Sequence, residues 1–242
     1  MINVIVPMCG VSERFTLEDY TVPKFTLDVN GVPMYAASVN SFKISVEHRL
    51  TFLVNTQVAV EYNLVNTIKS HFEHANVVLI DQPTLGFADT VLQAQPHVDS
   101  NIPSLILCCD QMVEYDSVEY NKMLTDPDIG GSLLTFDCDS GDVGWTYALV
   151  DLMDNITRVA CKIPISDTAI VGSYHYTDSH EMFELLRQLI QMEVTVNGEY
   201  YVCSTIDSSI NTCNKPWKSF RVEQMIPLGT PRDYEKYQAN HI

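Results

Sequence analysis

The sequence predicts an α/β protein with a Rossmann-like, mostly parallel sheet flanked by helices. Apolar strands and amphipathic helices alternate through its first half, with a strand roughly every 25 to 30 residues. The strands are short runs rich in Val, Ile and Leu, which is typical of strands covered on both faces. A chain of 242 residues, 46% of them hydrophobic, is long enough to bury a substantial core. We therefore expect one domain over 1–242, with 1–125 and 126–242 as its two parts.

The first part contains the strands and helices of the expected parallel sheet. A β-branched run predicts the first strand at 2–6, and Pro7 ends it because proline cannot donate to a central ladder. A short strand with an Asn30-Gly31 turn follows within 25–33. Apolar runs predict further strands, and one-sided apolar spacing predicts helices. These strands are expected at 49–55, 76–80 and 104–109, and these helices at 34–42, 58–72 and 84–95.

The second part is different in character, because polar loops rich in Asp, Gly and Ser separate its strands. Strands are expected at 131–137, 147–151, 170–176 and, briefly, 220–223. Helices are expected at 179–192 and 231–239. The sequence contains no repeat, low-complexity tract or linker, which supports a single domain.

The charge of the chain restricts its partners. Its 31 acidic and 14 basic residues give a net charge of −17 at pH 7, which disfavours nucleic acid and anionic membranes. There is no apolar run of the ~18 residues that a membrane span requires, and the first residues do not resemble a secretory signal. We expect a cytoplasmic protein with small-molecule partners. A homo-oligomer is compatible with the sequence.

The cysteines are expected to be reduced. The chain has seven, an odd number, and no two of them form a C-x-x-C pair. Cys108 and Cys109 lie inside an apolar strand. This pattern predicts small buried hydrophobic residues in a reducing compartment.

The loop after the first strand is a candidate phosphate site. Gly10 lies in this loop, and the cations Arg14 and Lys24 follow it. Loops at the carboxyl ends of buried strands bind ligands in open α/β sheets, and free backbone amides there can hold phosphate. The glycine-rich dinucleotide and P-loop patterns are both absent.

Asp110 is the second candidate. It directly follows the apolar strand at 104–109, so its carboxylate is expected at the same edge of the sheet as the first loop. Mg²⁺ in proteins is usually bound by one or two carboxylates together with substrate phosphates and water. Asp110 is therefore a candidate Mg²⁺ ligand, although an acid that merely ends a strand is a common alternative.

Gly10, Arg14, Phe15, Pro23 and Lys24 together resemble the signature loop of the sugar-nucleotide pyrophosphorylases, or sugar-phosphate nucleotidyltransferases. Further segments match in the same order along nearly the whole chain, most closely the short capsule-associated members. The resemblance implies a GT-A-like nucleotide-diphospho-sugar transferase fold. It also implies that 1–125 binds the nucleotide and 126–242 the acceptor. The matching segments after the signature loop are 82–91, 110–111, 156–172, 197–202 and 222–234.

The resemblance also implies roles for individual residues. Catalytic roles fall on Arg14, Lys24 and Lys162, where Lys162 corresponds to the family's sugar-phosphate lysine, and Asp110 would hold Mg²⁺. Nucleotide-binding positions are Met8, Cys9, Gly10, Gln82 and Gly86, and acceptor-binding positions are Cys161, Gly172 and Glu199.

Three positions depart from the family pattern. Ser12 stands where a second glycine is usual, and Cys161 replaces a glutamate that typically reaches a sugar hydroxyl. Pro227 occupies the position of an aspartate that supplies a second metal ligand in many members, for which Glu223 or Asp207 could substitute.

The expected function is Mg²⁺-dependent transfer of NMP from an NTP to a sugar 1-phosphate, with release of pyrophosphate. Cys161 favours a rival, a cytidylyltransferase acting on a non-sugar phosphorylated acceptor. A GT-A glycosyltransferase that uses a nucleotide sugar is a second rival, although Asp110-Gln111-Met112 lacks the second Asp of a D-x-D motif. A non-catalytic nucleotide sensor is a third.

Overall fold

The computed structural model describes residues 1–10, 12–138 and 141–241. Its strands are β1 Ile2–Met8, β2 Asp28–Val29, β3 Val32–Pro33, β4 His48–Asn55, β5 Asn76–Ile80, β6 Ser104–Leu107, β7 Gln111–Glu114, β8 Gly131–Asp137, β9 Thr146–Val150, β10 Ile156–Cys161, β11 Thr168–Tyr176, β12 Trp217–Arg221 and β13 Gln224–Pro227. Its helices are α1 Glu13–Thr16, α2 Met34–Ser41, α3 Thr56–Glu61, α4 Leu64–His71, α5 Phe87–Leu92, α6 Ser117–Met123, α7 Ser179–Gln191, α8 Ile206–Thr212 and α9 Pro231–His241. Short 3₁₀ helices span Lys24–Thr26, Gln95–His97 and Val202–Thr205.

One large sheet runs through both parts of the chain. Its main order is β10-β9-β11-β6-β1-β4-β5, and β8 pairs with β11 and β12 beside this path. In the first part, β6, β1, β4 and β5 are all parallel neighbours, which confirms the expected parallel sheet. In the second part β11 is antiparallel to β6, β8 and β9. The two parts therefore share a sheet but differ in how their strands run.

Helices cover both faces of the parallel strands. Along β1, Val4 and Val6 face one buried cluster that includes Tyr35 of α2. Ile5 faces the opposite cluster, which includes Val91 of α5. Because successive side chains on a strand point to opposite faces, an uninterrupted apolar run is what a strand between two helical layers needs.

A third, smaller cluster holds the loop region after β1 in place. Phe15 of α1 packs with Leu228 and with Tyr237 of α9, and all three side chains are buried. The Asn30-Gly31 turn is confirmed: both residues have positive φ, 54° and 84°, and β2 pairs antiparallel with β3. The end of the chain therefore supports the region that begins the predicted phosphate site.

Three predicted elements are wrong in extent. The first strand does not end at Pro7 but continues to Met8, with Pro7 opposite Leu53. The helix expected at 58–72 is two helices, α3 and α4, because Asn63 adopts a left-handed conformation with φ of 51° between them. The helix expected at 84–95 begins only at Phe87, after Gly86 at φ 126°. An L-residue rarely adopts such angles inside a helix, so the chain changes direction at both points.

Several short elements were not predicted: β7, β10, β13, α6 and α8. Each has seven residues or fewer, and β10 alternates poorly because Arg158 interrupts it beside a register shift. The strand expected at 220–223 lies earlier, as β12 at Trp217–Arg221, where Trp217 is buried. In the part of the chain that the structure describes, no helix is both long enough and apolar enough to cross a membrane.

Candidate active site

A cleft of about 760 Å³ lies where the loop after β1 meets the chain after β6. Arg14, Lys24, Asp110 and Lys162 all line it. We name its two sides by their residues. The proximal wall is formed by Gly10, Ser12, Arg14, Lys24 and Asp110, and the distal wall by Gly144, Trp145, Thr146, Lys162, Glu199 and Tyr201.

The register of the parallel strands explains why the proximal wall exists. β1 and β6 are neighbours, with Ile5 opposite Ile106. Their carboxyl ends therefore meet at one edge of the sheet, which places the Gly10 loop beside Asp110. This is the juxtaposition that the sequence predicts.

Lys24 and Asp110 form an ion pair at the centre of the proximal wall. The Lys24 Nζ donates to Asp110 Oδ2 at 2.5 Å, and the two side chains are 22% and 24% exposed. Burial alone would lower the pKa of Lys24, but the adjacent carboxylate outweighs it and the pKa is raised. Burial alone would raise the pKa of Asp110, and Lys24 reverses this so that the pKa is lowered. Both groups are therefore charged at neutral pH.

Ser12 has a role that the sequence alone does not reveal. It adopts the left-handed conformation, φ 56°, where glycine would be favoured. Its hydroxyl accepts a hydrogen bond from the Lys24 backbone N–H at 3.1 Å. A glycine could adopt this conformation without strain but could not accept that bond. Ser12 thus ties the first loop to the segment that carries Lys24.

Two further cations face the cleft. Among the described residues Arg14 forms no ion pair within 4.0 Å, so its guanidinium is available to an anionic ligand. Lys162 follows β10 in a left-handed conformation and donates to the Gly144 carbonyl. Burial, and then the nearby Arg14, lower the pKa of Lys162. Arg14 and Lys162 line the same cleft, and two neighbouring cations create a site where an anion is favourable.

Aromatic rings and carboxylates complete the distal wall. Lys162 Nζ lies 6.0 Å from the centre of the Tyr201 ring. Glu199 is exposed at the cleft, and Trp145 packs edge-on against Phe136. This side could hold the non-reacting end of a ligand by stacking and by hydrogen bonds to carboxylate oxygens.

Gly172 lies at the seam between the two walls. Its backbone N–H donates to Gln111 Oε1, and its carbonyl accepts from the Cys108 N–H at 2.7 Å. A Cβ at this position would approach Cys108 Sγ to 2.5 Å and Gln111 Nε2 to 2.7 Å. Only glycine permits β11 to come this close to the chain after β6, so Gly172 shapes the cleft that it lines.

Two of the predicted nucleotide-binding residues lie outside the cleft lining. Gln82 is exposed and does not line the cleft, nor does Gly86, whereas the neighbouring Phe87 does. A Cβ on Gly86 would come within 2.7 Å of the Tyr200 backbone nitrogen. The Tyr200 N–H donates to the Leu85 carbonyl, and its carbonyl accepts from the Ala88 N–H. Gly86 therefore joins this segment to the distal wall.

Met8 and Cys9 do not line the cleft but border a neighbouring cavity of about 530 Å³, which Gly10 and Ser12 also line. Met8 is buried, and the Cys9 thiol donates to the Leu53 carbonyl at 3.5 Å. Burial raises the pKa of Cys9 to about 12. A thiol with that pKa is protonated at neutral pH and is not a nucleophile.

The prediction that every cysteine is reduced is wrong for two of them. Cys161 and Cys203 are joined by a disulfide, 42 residues apart in sequence. The folded chain brings the end of β10 against the 3₁₀ helix Val202–Thr205, a proximity that cysteine spacing cannot indicate. Cys161 is buried and is not among the residues that line the cleft.

The closing segment leaves Asp110 as the strongest metal-ligand candidate. Pro227 lines the cleft, and a Cβ on Gly229 would stand 3.0 Å from Asp110 Oδ2, so glycine keeps one side of the carboxylate clear. Asp207 accepts from the Val159 N–H at 2.6 Å and lies outside the cleft lining, as does Glu223. Among the described residues no three Asp, Glu, His or Cys side chains form a metal-binding group. One carboxylate suits Mg²⁺ that phosphates also ligate.

Sequence reasoning assigned no role to several residues of the cleft lining, among them Asp142, Trp145, Arg232 and Asp233. Asp233 accepts from the Thr230 hydroxyl, while its N–H donates to that hydroxyl, at the start of α9. The Pro-Arg-Asp sequence after Gly229-Thr230 was a usable signal for Arg232 and Asp233. Nothing comparable marks Asp142 or Trp145, which lie between β8 and β9.

No protein-family model and no curated protein matches the sequence. Solved structures do match. A nucleoside-diphosphate-sugar pyrophosphorylase from Vibrio cholerae RC9 is 23% identical, with a TM-score of 0.78 over 98% of this chain and 99% of that one. An inositol-1-phosphate CTP transferase from T. maritima is 15% identical, with a TM-score of 0.76 over 98% and 93%. A UTP-bound UGPase from Acinetobacter baumannii is 17% identical, with a TM-score of 0.70 over 100% and 93%.

The likeness covers nearly the whole of each chain. This protein therefore has the fold of these pyrophosphorylases and nucleotide transferases, and the fold class expected from the sequence is confirmed.

Proposed function

We propose that this protein is a nucleotidyltransferase that transfers NMP from an NTP to a sugar 1-phosphate and releases pyrophosphate. The observation that carries the proposal is the convergence of Arg14, Lys24, Lys162 and Asp110 in one cleft. The chain has 31 acidic and only 14 basic residues. Four of the basic residues, the three just named and Arg232, line this cleft, which makes it a concentrated site for phosphate. The shared fold with nucleotide transferases supports the same reading.

In the proposed reaction, an acceptor phosphate oxygen attacks the α-phosphorus of the NTP. A new oxygen–phosphorus bond forms, the bond from the α-phosphorus to the bridging oxygen breaks, and pyrophosphate leaves. This chemistry needs the alignment of two anions and the neutralisation of their charge more than it needs covalent participation by the protein.

The proximal wall would hold the NTP. The amides of the Gly10 loop and the Arg14 guanidinium would bind the β- and γ-phosphates, and Lys24 would stabilise charge on the departing pyrophosphate. Asp110 keeps Lys24 protonated and in position before any substrate arrives. A cation that is fixed in advance pays little reorganisation cost in the transition state.

The distal wall would hold the acceptor. Lys162 would align the attacking phosphate as a point charge. Glu199 and Gly172 are proposed to contact the rest of the acceptor, with Trp145 and Tyr201 as stacking surfaces. The residues proposed to contact the nucleotide are Met8, Cys9, Gly10, Gln82 and Gly86. Of these, Gly10 lines the cleft directly.

Asp110 would also hold Mg²⁺, which would neutralise phosphate charge when bound. The carboxylate has a clear side at Gly229, and the residues that the structure describes form no complete protein ligand set. Both features fit an ion completed by substrate phosphates.

The test is pyrophosphate release from a panel of four NTPs and several phosphomonoesters, with and without Mg²⁺. We expect release only when NTP, acceptor and Mg²⁺ are all present. Lys24→Met should abolish it while leaving the circular dichroism spectrum unchanged. Lys69→Met, at an exposed lysine of α4 away from the cleft, is the matched control. A folded wild-type protein that releases no pyrophosphate with any pair contradicts the proposal.

A second candidate, a cytidylyltransferase for a non-sugar phosphorylated acceptor, is favoured by Cys161. Cys161 has no carboxylate to offer a sugar hydroxyl, and its sulfur is bonded to Cys203. The same panel separates the two, because inositol and aminoalkyl phosphates would then exceed sugar 1-phosphates as acceptors. A GT-A glycosyltransferase would instead consume a nucleotide sugar without releasing pyrophosphate.

A further inference from the structure

The Cys161–Cys203 disulfide joins two separate segments of the distal wall. Cys161 is the last residue of β10 and directly precedes Lys162. Cys203 lies in the 3₁₀ helix Val202–Thr205, two residues after Tyr201. The bond therefore fixes the strand end that carries Lys162 against the turn that carries Tyr201.

The pair lies directly behind the lining of the cleft. The hydroxyl of Thr146, which itself lines the cleft, is 3.7 Å from Cys161 Sγ and 3.5 Å from Cys203 Sγ. The Cα atoms of the two cysteines are 6.2 Å apart, within the normal disulfide range. Opening or closing the bond would therefore change the surroundings of Thr146, a residue that lines the cleft.

The two cysteines differ in their exposure to solvent. Cys161 is 9% exposed and Cys203 is 2% exposed, so a small reagent reaches Cys161 first. The Ser204 hydroxyl also contacts Cys161 Sγ, at 3.9 Å.

We propose that Cys161 and Cys203 form a reversible thiol–disulfide switch that sets the order of the distal wall and thereby the affinity for the acceptor. The acceptor part of this inference rests on the proposed function. In the disulfide form Lys162 and Tyr201 are held in place, so less ordering is needed when the acceptor binds. In the dithiol form β10 and the 3₁₀ helix remain packed but are no longer linked.

The chemistry balances with ordinary thiol reagents. For opening, a thiolate of a small dithiol attacks Cys161 Sγ and the Cys203 thiolate leaves. The second thiol of the reagent then displaces Cys161, so the reagent is oxidised to its own disulfide and two protein thiols form. For closing, the Cys161 thiolate attacks a low-molecular-weight disulfide, and the Cys203 thiolate displaces the second small thiol.

The first measurement does not depend on activity. Amide hydrogen exchange is followed in the wild-type protein, in its disulfide form and after treatment with dithiothreitol, with thiols counted in both. We expect two additional thiols after reduction and faster exchange over 156–162 and 199–205, while β1 is unchanged. Equal thiol counts, or equal protection of these segments in both forms, would overturn the switch.

The second measurement is kinetic and uses whichever NTP and acceptor the panel identifies. Reduction should raise the acceptor KM by about three- to tenfold, the range expected for losing the order of one or two side chains. The NTP KM should change less than about twofold, because the proximal wall is untouched. Glutathione disulfide should restore the original acceptor KM.

Variants separate the switch from general effects of the reagents. Cys203→Ser should have the acceptor KM of the reduced protein and should not respond to either reagent. Cys213→Ser, which changes a half-buried cysteine outside the cleft, should respond as the wild type does. If no NTP and acceptor pair yields pyrophosphate, the proposed function fails, while the exchange data still decide whether the pair orders the wall. An acceptor KM that is identical in both forms would overturn the switch alone.

Discussion

The proximal and distal walls of the cleft are built in different ways. The proximal wall follows the ends of parallel strands, and its central contact is an ion pair between side chains, Lys24 and Asp110. The distal wall comes from antiparallel strands and loops, and its lysine, Lys162, binds a backbone carbonyl and lies over an aromatic ring. One wall is fixed by the sheet, and the other by contacts that join separate loops.

The construction of the two walls indicates which side of the cleft can vary to change substrate choice. A triphosphate is the same for every NTP, so its side of the cleft can be rigid and charged. An acceptor differs from one enzyme to another, and loops accept new side chains without disturbing strand pairing. We therefore expect substitutions in the proximal wall to affect turnover and those in the distal wall to affect acceptor binding.

The largest effect should follow from breaking the proximal wall with Asp110→Asn. Loss of the carboxylate removes the partner of Lys24 and the proposed Mg²⁺ ligand, so kcat should fall by a factor of about 100 to 1,000. Steady-state pyrophosphate release measures this. Asp128→Asn, at an exposed acid outside the cleft, should keep wild-type kcat, and near-wild-type turnover in Asp110→Asn would remove Asp110 from the site.

The pH dependence of the same pair provides an independent check. The lowered pKa of Asp110 means that its contribution to stability is present above about pH 4 and is lost below it. The raised pKa of Lys24 means that its contribution persists below about pH 10.5 and is lost above its folded-state pKa. The difference in unfolding free energy between wild type and Asp110→Asn, measured by urea unfolding, should therefore be smaller at pH 3 than at pH 7.

The next largest effect concerns a buried histidine in the second part of the sheet. His175 of β11 is fully buried, with Nδ1 3.0 Å from the Ser132 hydroxyl. Burial lowers its pKa from 6.5 to about 4, and the Leu124 backbone only partly opposes this. Because the unfolded chain binds a proton below about pH 6.5 and the folded chain does not, acid favours unfolding.

Wild type should therefore lose about 3 kcal/mol of unfolding free energy from this residue between pH 6.5 and pH 4. His175→Gln cannot take up that proton. The difference in unfolding free energy between wild type and His175→Gln should therefore narrow by this amount as the pH falls. Urea titrations across this range measure it. A difference that stays constant would mean that His175 is not buried in its neutral form.

The seam between the walls is tested by Gly172→Ala. An added methyl group would meet Cys108 Sγ and Gln111 Nε2 at 2.5 and 2.7 Å, so we expect a loss of about 1 to 3 kcal/mol in unfolding free energy. Gly10→Ala is the matched control for stability, because its Cβ would have no neighbour within 4 Å. Equal stability of the two variants would contradict the close approach of β11 to β6.

The smallest effect should come from Lys162→Met in the distal wall. Losing one point charge from a cleft that retains Arg14 and Lys24 should raise the acceptor KM by about tenfold. The NTP KM should stay within about twofold of the wild-type value. Lys122→Met, at an exposed lysine of α6, serves as the control. A larger rise in the NTP KM than in the acceptor KM would contradict the proposal that Lys162 contacts the acceptor.

The sequence predicts the parallel core well because its signal is local. The apolar runs at β1, β4 and β6 are buried on both faces, so they appear as nearly continuous hydrophobic segments, and the partly buried edge strand β5 is still a short apolar run. Asp110 and the Gly10 loop could be placed at one edge because parallel strands align their carboxyl ends. The short elements β7, β10 and α8 were missed, since their positions depend on partners far away in sequence.

The linear sequence was enough to predict the fold class, the parallel half of the sheet and the candidate cations and acid at its edge. Each follows from periodicity, from strand order or from a motif a few residues long. Three contacts became visible only in the folded chain: Lys24 pairs with Asp110, Ser12 accepts a hydrogen bond from the Lys24 backbone, and Cys161 is bonded to Cys203. These contacts join residues 12 to 86 positions apart, and such pairings are set by packing and strand register rather than by local pattern.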